Sequence, residues 1–256
     1  FIIETTPIFS GLDLCYVTSD ETEVTKNRIH LSFTNIYNDL KYQILREGSS
    51  AGEYDLIGEI DPTETSYLDN SSNNNASSYN YKVRLLDNCG NLSSESNPHK
   101  TILLQSSIAV DNSVNLNWSQ YIGVDYSTYI IYRSVDGAAF QELVSLASSN
   151  QSYNDTNADI NQNSYAYYVS ISVNSCETTI ATSVISNNNG RETFAEVEVR
   201  SNQILLGSFD DDNDGVLNID DNCPDTPPET TVDANGCLFL PSNNFNIETI
   251  GETCPD

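Results

Sequence analysis

Five oxygen-bearing side chains between residues 210 and 221 have the spacing of a cation-binding loop. Counted from position 210, they stand at positions 1, 3, 5, 9 and 12. Gly215 at position 6 permits the sharp turn that such a loop needs, and position 7 can offer its backbone carbonyl. Calcium takes six to eight oxygen ligands, and alternate residues wrapped around one centre can supply them. The predicted metal ligands are Asp210, Asp212, Asp214, Val216, Asn218 and Asp221.

Two features separate this loop from those of helix–loop–helix calcium sensors. Asp221 at position 12 is shorter than the glutamate that closes such a loop with both of its oxygens. The flanking sequence has no amphipathic helical period, so a sensor that opens and closes is not expected. Asp225 and Asp233 could complete a second, weaker site. The competing interpretation of the whole stretch is a solvated acidic linker.

The chain is strongly acidic, and its charge is unevenly distributed. It has 37 Asp and Glu against 10 Lys and Arg, for a formal net charge of −27. Residues 209–256 contain nine Asp and three Glu without a Lys or Arg, so this segment alone carries −12. A basic face for nucleic-acid phosphates or anionic lipids cannot be assembled, and no apolar run is long enough to span a bilayer. We therefore expect neither nucleic-acid binding nor membrane insertion.

Catalytic chemistry finds little support in the sequence. His30 and His99 are the only histidines, and each is expected to be an ordinary surface residue rather than a general base. The abundant carboxylates do not by themselves exclude a glycosidase pair, but no glycine-rich phosphate-binding loop is present. The sequence predicts a protein that is not an enzyme.

Two segments of the chain repeat each other at an offset of about 86 residues. The matched pairs are 27–33 (NRIHLSF) with 112–118 (NSVNLNW), 42–46 with 129–133, and 78–83 with 164–169. Cys89 and Cys176 continue the series. Four matches in the same order at a nearly constant offset indicate two copies of one domain.

Both copies are predicted to be all-β. Segments rich in Tyr, Val and Ile alternate polar and apolar residues with a period of two, and turn clusters of Asn, Ser and Gly separate them. The predicted strands are 42–46, 54–60, 79–86, 129–133, 140–147 and 165–173. Short strands about every ten residues, without intervening helices, favour a sandwich over a parallel sheet.

The aromatic positions of the two copies resemble the fibronectin type III family. Each copy has an aromatic residue on its second strand (Phe33, Trp118), a Tyr-x-Ile-x-Arg phrase on its third and a Tyr-x-Tyr-x-Val phrase on its sixth. The sequence of these motifs is similar to that of tandem domains in secreted and surface proteins of Bacteroidetes. The resemblance covers about residues 10–190 and implies tandem immunoglobulin-like sandwiches, with Phe33 standing where Trp is usual.

Most aromatic side chains are expected to fill the space between the sheets of each sandwich. The predicted core residues are Tyr42, Tyr81, Trp118, Tyr129 and Tyr167. Three further tyrosines stand in predicted loops or at strand edges, where they could line a sugar-binding site: Tyr37, Tyr121 and Tyr126.

Six cysteines in a chain rich in Asn, Ser and Thr predict an oxidising, extracellular setting, and their spacing is not that of zinc ligands. Cys15 on the first predicted strand and Cys89 after the sixth can approach each other in a sandwich, which predicts a Cys15–Cys89 disulfide. The second copy keeps Cys176 without a counterpart of Cys15. Cys176 is therefore either free or paired with Cys254.

The acidic segment resembles a second family. The phrase that begins with the loop at Asp210 and continues through Cys223 to Cys237 is similar to a thrombospondin type 3 repeat of the bacterial kind, over residues 210–237. Asn218 departs from the pattern, because the family more often has Asp there. The resemblance implies bound Ca²⁺ and a Cys223–Cys237 disulfide.

These observations predict an all-β chain with two tandem immunoglobulin-like (fibronectin type III) sandwiches and a small loop module stabilised by calcium and a disulfide. The chain is expected to be a piece of something larger. The predicted boundaries are 1–102 and 103–190 for the sandwiches, 191–208 for a linker with short strands, 209–240 for the calcium repeat, and 241–256 for the start of a further module.

The expected function is that of a non-catalytic extracellular spacer or adhesion segment in a larger secreted or cell-surface bacterial protein. The resemblance to Bacteroidetes proteins implies export by type IX secretion, with a sorting domain beyond Asp256. The alternative is a carbohydrate-binding accessory region of a secreted polysaccharide-degrading enzyme, and a third option is docking of another protein at a sheet edge. The expected partners are calcium and either a polysaccharide or another surface protein.

Overall fold

The computed structural model describes residues 14–31, 40–61, 63–175, 196–207, 210, 212–216, 221–227 and 230–238. It has two compact units, Phe1–Gly207 and Ser208–Asp256. All regular structure among the described residues is β-strand. Within these ranges, no helix has the length and apolar character of a membrane span.

The first unit begins with a sandwich of seven strands. They are β1 (Leu14–Ser19), β2 (Asn27–Leu31), β3 (Leu40–Glu47), β4 (Tyr54–Ile60), β5 (Ser66–Asp69), β6 (Asn80–Asp87) and β7 (His99–Lys100). One sheet has the order β1-β2-β5 and the other the order β4-β3-β6-β7, and all the pairings are antiparallel.

A second sandwich follows in the same unit. Its strands are β8 (Leu104–Ile108), β9 (Val114–Trp118), β10 (Thr128–Val135), β11 (Gln141–Ala147), β12 (Ser152–Asp155), β13 (Tyr165–Asn174), β14 (Glu196–Arg200) and β15 (Ile204–Leu206). The sheets have the orders β12-β9-β8 and β11-β10-β13-β14, and β15 also pairs with β13. Strand for strand, this arrangement repeats that of the first sandwich, so the predicted all-β fold of two tandem sandwiches is confirmed.

Alternation of side chains creates a separate apolar core in each sandwich. In β2 and β6, every second residue is buried, as expected for strands with one face toward a partner sheet. The five predicted core aromatics are all buried, with at most 4% of each exposed: Tyr42, Tyr81, Trp118, Tyr129 and Tyr167. Burial of such rings supplies much of the apolar area that stabilises a small sandwich.

A buried ion pair recurs at equivalent positions in the two cores. Arg46 Nη1 lies 2.7 Å from Asp69 Oδ2, and the Tyr81 hydroxyl donates to the same oxygen at 2.9 Å. The counterparts in the second sandwich, at the same two distances, are Arg133, Asp155 and Tyr167. Burial alone would raise the pKa of Asp69, but hydrogen bonds from Ser71, Tyr81 and Arg46 hold it below its ordinary value.

The interval 191–208, predicted as a linker with short strands, contains two short strands in its described part, Glu196–Arg200 and Ile204–Leu206. Residues 196–200 pair with β13 over five positions, from Ser170 opposite Arg200 to Asn174 opposite Glu196. Residues 204–206 pair with the beginning of the same strand. These short segments satisfy the edge of β13 and therefore complete the second sandwich. The sequence did not show that these strands pair with β13, because a short apolar segment carries no local signal of its partner strand.

Candidate metal centre

The predicted calcium loop brings three carboxylates together. Ligand oxygens of Asp210, Asp212 and Asp214 lie within 4.8 Å of one another. The turn that gathers them depends on two residues with positive φ, Asn213 at 58° and Gly215 at 94°. Glycine adopts this conformation without a steric cost and asparagine with a small one, which explains why the sequence has these residues between the aspartates.

Backbone amides orient the carboxylates. The N–H of Gly215 donates to Asp210 Oδ2 at 2.9 Å, and the N–H of Val216 donates to Asp214 Oδ1 at 2.8 Å. The N–H of Cys223 donates to Asp221 Oδ1 at 2.7 Å. Asp214 and Asp221 are therefore each fixed through Oδ1 by a local amide. Asp210 accepts amides at both oxygens, since the N–H of Asp214 also donates to its Oδ1 at 3.3 Å.

Three carboxylate oxygens of the acidic segment are buried and have no hydrogen-bond partner among the described residues. These atoms are Asp212 Oδ1, Asp214 Oδ2 and Asp221 Oδ2. A buried carboxylate oxygen without a partner is costly, because it has lost its water and gained nothing in return. Each of these oxygens has a lone pair that no hydrogen bond uses, which is the type of ligand that a hard divalent cation takes.

The position of Asp221 depends on a glycine that the sequence analysis did not single out. A Cβ atom built on Gly236 would lie 1.9 Å from Asp221 Oδ1 and 3.2 Å from Asp214 Oδ2. Both carboxylates thus approach the same stretch of backbone, and no other residue type would leave room for Asp221. Gly236 also has φ of 75°, which only glycine adopts readily.

A disulfide closes the hairpin that carries this glycine. Cys223 and Cys237 are bonded, with their Cα atoms 5.1 Å apart, so the pairing implied by the thrombospondin resemblance is present. Val232 and Leu238 form an antiparallel bridge beside it. The disulfide therefore joins the segment after Asp221 to the segment around Gly236.

Thr226 links the hairpin to the aspartate loop. Its N–H donates to Asp212 Oδ2 at 2.7 Å, and its hydroxyl lies 2.7 Å from the carbonyl of Gly236 and 2.9 Å from that of Cys223. The side chain is 5% exposed. The sequence contains no signal for this role, because a threonine between aspartate and proline is common in any turn.

The remaining predicted ligands fall into two groups. Val216 lies in the described loop, whereas Asn218 lies outside the described residues. The second, weaker site is not assembled among the residues that the structure describes, where only the three loop aspartates form a cluster. Asp233 instead accepts the N–H groups of Asn235 and Cys237 and so stabilises the hairpin turn.

The predicted Cys15–Cys89 disulfide is wrong. Cys89 is a free, exposed thiol, whereas Cys15 is 4% exposed and belongs to a different disulfide. The cause is the turn after β6, where Asp87 Oδ1 accepts the N–H groups of Cys89 and Asn91 and directs the thiol toward solvent. Cys176 and Cys254 lie outside the described residues.

Comparison with known proteins gives only distant similarities. Neither a family model nor a curated protein matches the chain. Among solved structures, the chain is similar to the FN1–FN3 domains of chicken CNTN1, with 14% identity over 63% of this chain and 57% of that one, at a TM-score of 0.25. It is also similar to a two-domain fibronectin type III segment of chicken tenascin, with 12% identity over 77% and 98% and a TM-score of 0.27. The chain spans just over half of the CNTN1 structure, and the fold assignment rests on the strand orders and cores described above.

Proposed function

We propose that this chain is a non-catalytic spacer or adhesion segment of a larger secreted or cell-surface bacterial protein, stiffened by calcium at residues 210–238. The observation that carries the proposal is the set of buried carboxylate oxygens without a partner in the aspartate loop: Asp212 Oδ1, Asp214 Oδ2 and Asp221 Oδ2. Their amide-bonded counterparts hold each group in place, so the site is organised by the chain itself.

The composition of the acidic segment supports a structural role for the ion. Among the described residues from 210 to 238, only Thr226 and Gly236 are buried, so a hydrophobic core cannot hold the segment together. Calcium supplies positive charge at the point where the carboxylates converge. Without it, four aspartates repel one another at short range. Extracellular modules of this kind bind calcium with dissociation constants of about 10⁻⁴–10⁻³ M, which suits a permanent joint rather than a cellular signal.

An extracellular setting is consistent with the Cys223–Cys237 disulfide, because such bonds persist in oxidising compartments. Export by type IX secretion and an origin in Bacteroidetes rest on the sequence resemblance alone and remain part of the proposal.

The test is a calcium titration of the whole chain. Binding is measured by isothermal calorimetry, and chemical-shift changes in residues 210–238 are measured by amide NMR. We expect one binding event of sub-millimolar to millimolar affinity, with shifts confined to this segment, and no comparable event with magnesium, which prefers a smaller octahedral site. The variant Asp214→Asn should abolish it. Asp61→Asn, an exposed aspartate in the first sandwich, is the matched control and should bind as the parent does.

Two outcomes would contradict the proposal. Calcium that does not bind at 10-fold above the expected range, about 10⁻² M, would show that the segment is a solvated acidic linker. Calcium binding that is unchanged in Asp214→Asn would place the ion elsewhere on the acidic surface.

A further inference from the structure

The two sandwiches are joined by a buried tyrosine. The hydroxyl of Tyr121, in the loop after β9, accepts the N–H of Val17 on β1 at 2.9 Å and lies 3.0 Å from Nδ1 of His99. Tyr121 is 1% exposed and His99 3%. Both were expected at the surface. The fold buries them because they lie where the two sandwiches meet, His99 on β7 of the first sandwich and Tyr121 in the loop after β9 of the second. Burial raises the pKa of Tyr121, so its hydroxyl stays protonated.

Backbone and charged groups extend this junction. Lys100 and Ile122 exchange main-chain hydrogen bonds in an isolated bridge. Farther along, the N–H of Arg200 on β14 donates to Thr18 Oγ1 at 2.9 Å, and its guanidinium lies 3.4 Å from Glu21. The first sandwich thus contacts the second at separate points, through the loop after β9 and through Arg200 on β14.

The space between the two sandwiches is a groove, here called the junction groove. It consists of two adjoining cavities of about 450 and 320 Å³ that share Asp20, Glu21 and Arg200. One wall has Tyr16 and His30, and the other has Glu198 and Phe140. Volumes of this size are typical of sites that hold a small molecule or a few units of a chain.

The charges that line the groove are already paired. Arg28 Nε is bonded to Asp20, and Arg200 is bonded to Glu198 and contacts Glu21. Three acids and two guanidinium groups leave this region close to neutral, on a protein whose net charge is −27. A charged ligand would have to separate one of these ion pairs, whereas a neutral ligand with hydroxyl groups can use the lone pairs and N–H groups that remain.

The edges of β1 and β14, which border the groove, disfavour the binding of an extended peptide. Extended peptides bind by adding a strand to a free sheet edge. Here the N–H of Val17 on β1 donates to Tyr121 and that of Arg200 on β14 donates to Thr18. Both edge amides are thus engaged by side chains of the opposite sandwich, and a main-chain ladder cannot form at these points.

Aromatic rings lie in both parts of the groove. His30 stacks on Tyr16 with ring centres 4.3 Å apart, and Phe140 meets Tyr168 edge to face at 4.9 Å. Flat apolar surfaces beside paired carboxylates and guanidinium groups match a sugar ring, which has an apolar face and a rim of hydroxyls.

We propose that the junction groove binds a neutral oligosaccharide. The inference is independent of the spacer role and of calcium, because it rests only on residues between Tyr16 and Gln203.

The test is amide NMR of the calcium-loaded chain with short soluble oligosaccharides of glucose, mannose, xylose and N-acetylglucosamine, and with one uncharged extended peptide as the comparison ligand. We expect saturable shifts at Thr18, Asp20 and Glu198 with at least one of the sugars, none with the peptide, and the same result in chelator.

Three variants locate the site. His30→Ala and Phe140→Ala remove one ring from each part of the groove, and each should weaken binding about tenfold. Tyr121→Phe removes the hydroxyl that positions the walls and should weaken binding without touching the ligand. Tyr54→Ala on β4 is the matched control, since Tyr54 packs under Lys82 away from the groove, and it should bind like the parent. Thermal melting of each variant confirms that both sandwiches remain folded.

Absence of shifts with every sugar at millimolar concentration would overturn the proposal. Binding that His30→Ala and Phe140→Ala leave unchanged while both remain folded would do the same, as would binding of the peptide alone.

Discussion

The sandwiches and the acidic segment differ in the contacts that hold their chain segments together. Each sandwich buries a contiguous set of apolar side chains, with Ile44 and Tyr81 in the first and Ile131 and Tyr167 in the second fully inaccessible. The described part of residues 210–238 has only Thr226 and Gly236 buried, and it is closed by a disulfide and by carboxylates aimed at one point. The difference shows that a short segment with too little apolar surface for a core can be held by a disulfide and by hydrogen bonds to its carboxylates.

The largest effect should come from the ion pairs in the sandwiches. Asp155 is fully buried, and Asp155→Ala leaves Arg133 without its ion-pair partner. Loss of one member of a buried ion pair lowers the free energy of unfolding by about 3–5 kcal/mol. Asp69→Ala should do the same in the first sandwich. Urea unfolding followed by NMR should show that each variant destabilises its own copy, while calcium affinity at residues 210–238 stays unchanged. Equal loss in the acidic segment would show that the two kinds of region are not independent.

Removal of the Cys223–Cys237 disulfide should affect only the acidic segment. The double variant Cys223→Ser, Cys237→Ser opens a loop with a sequence separation of 14, which costs about 3 kcal/mol in the chain-entropy model. We expect weaker calcium binding and faster amide exchange in residues 210–238, with unchanged melting of the sandwiches. Unaltered calcium affinity would show that the hairpin does not help to place Asp221.

A smaller effect is expected at Thr226. Thr226→Val removes the hydroxyl that donates to buried carbonyls and should cost the segment about 1–2 kcal/mol. Thr226→Ser keeps the hydroxyl and should restore calcium affinity, as measured by calorimetry. If serine fails to rescue, the methyl group is needed in addition to the hydroxyl.

A further effect concerns the pH dependence of stability and involves the first sandwich alone. Burial and the nearby Arg28 lower the pKa of His30 to about 4. A histidine with a depressed folded pKa adds stability that is complete above the unfolded value of about 6.5 and is lost as the pH falls toward 4. His30→Gln should flatten this part of the stability–pH curve, measured by urea unfolding at pH 7, 5.5 and 4.5. An identical slope in the variant would assign the dependence to carboxylates.

Local patterns predicted the parts of the molecule that depend on neighbours in sequence. The period-two alternation placed the core aromatics correctly, and the spacing from Asp210 to Asp214 anticipated the cluster of carboxylates. The pairing of residues 196–206 with β13 was missed, because strand partners are chosen across the sheet and leave no mark in a short segment. The predicted pairing of Cys15 with Cys89 was wrong because Cys89 lies in the turn after β6, where its thiol is exposed to solvent.

The sequence by itself determined the repeat, the all-β character and the group of oxygens in the loop, because each follows from residue types at fixed short intervals. Only the tertiary structure decided that Tyr121 and His99 are buried at the junction, that the backbone at Gly236 lies against Asp221, and that Cys89 stays free. These facts depend on distances between residues far apart in the chain. Such distances are set by how whole sheets and hairpins pack, which no local interval encodes.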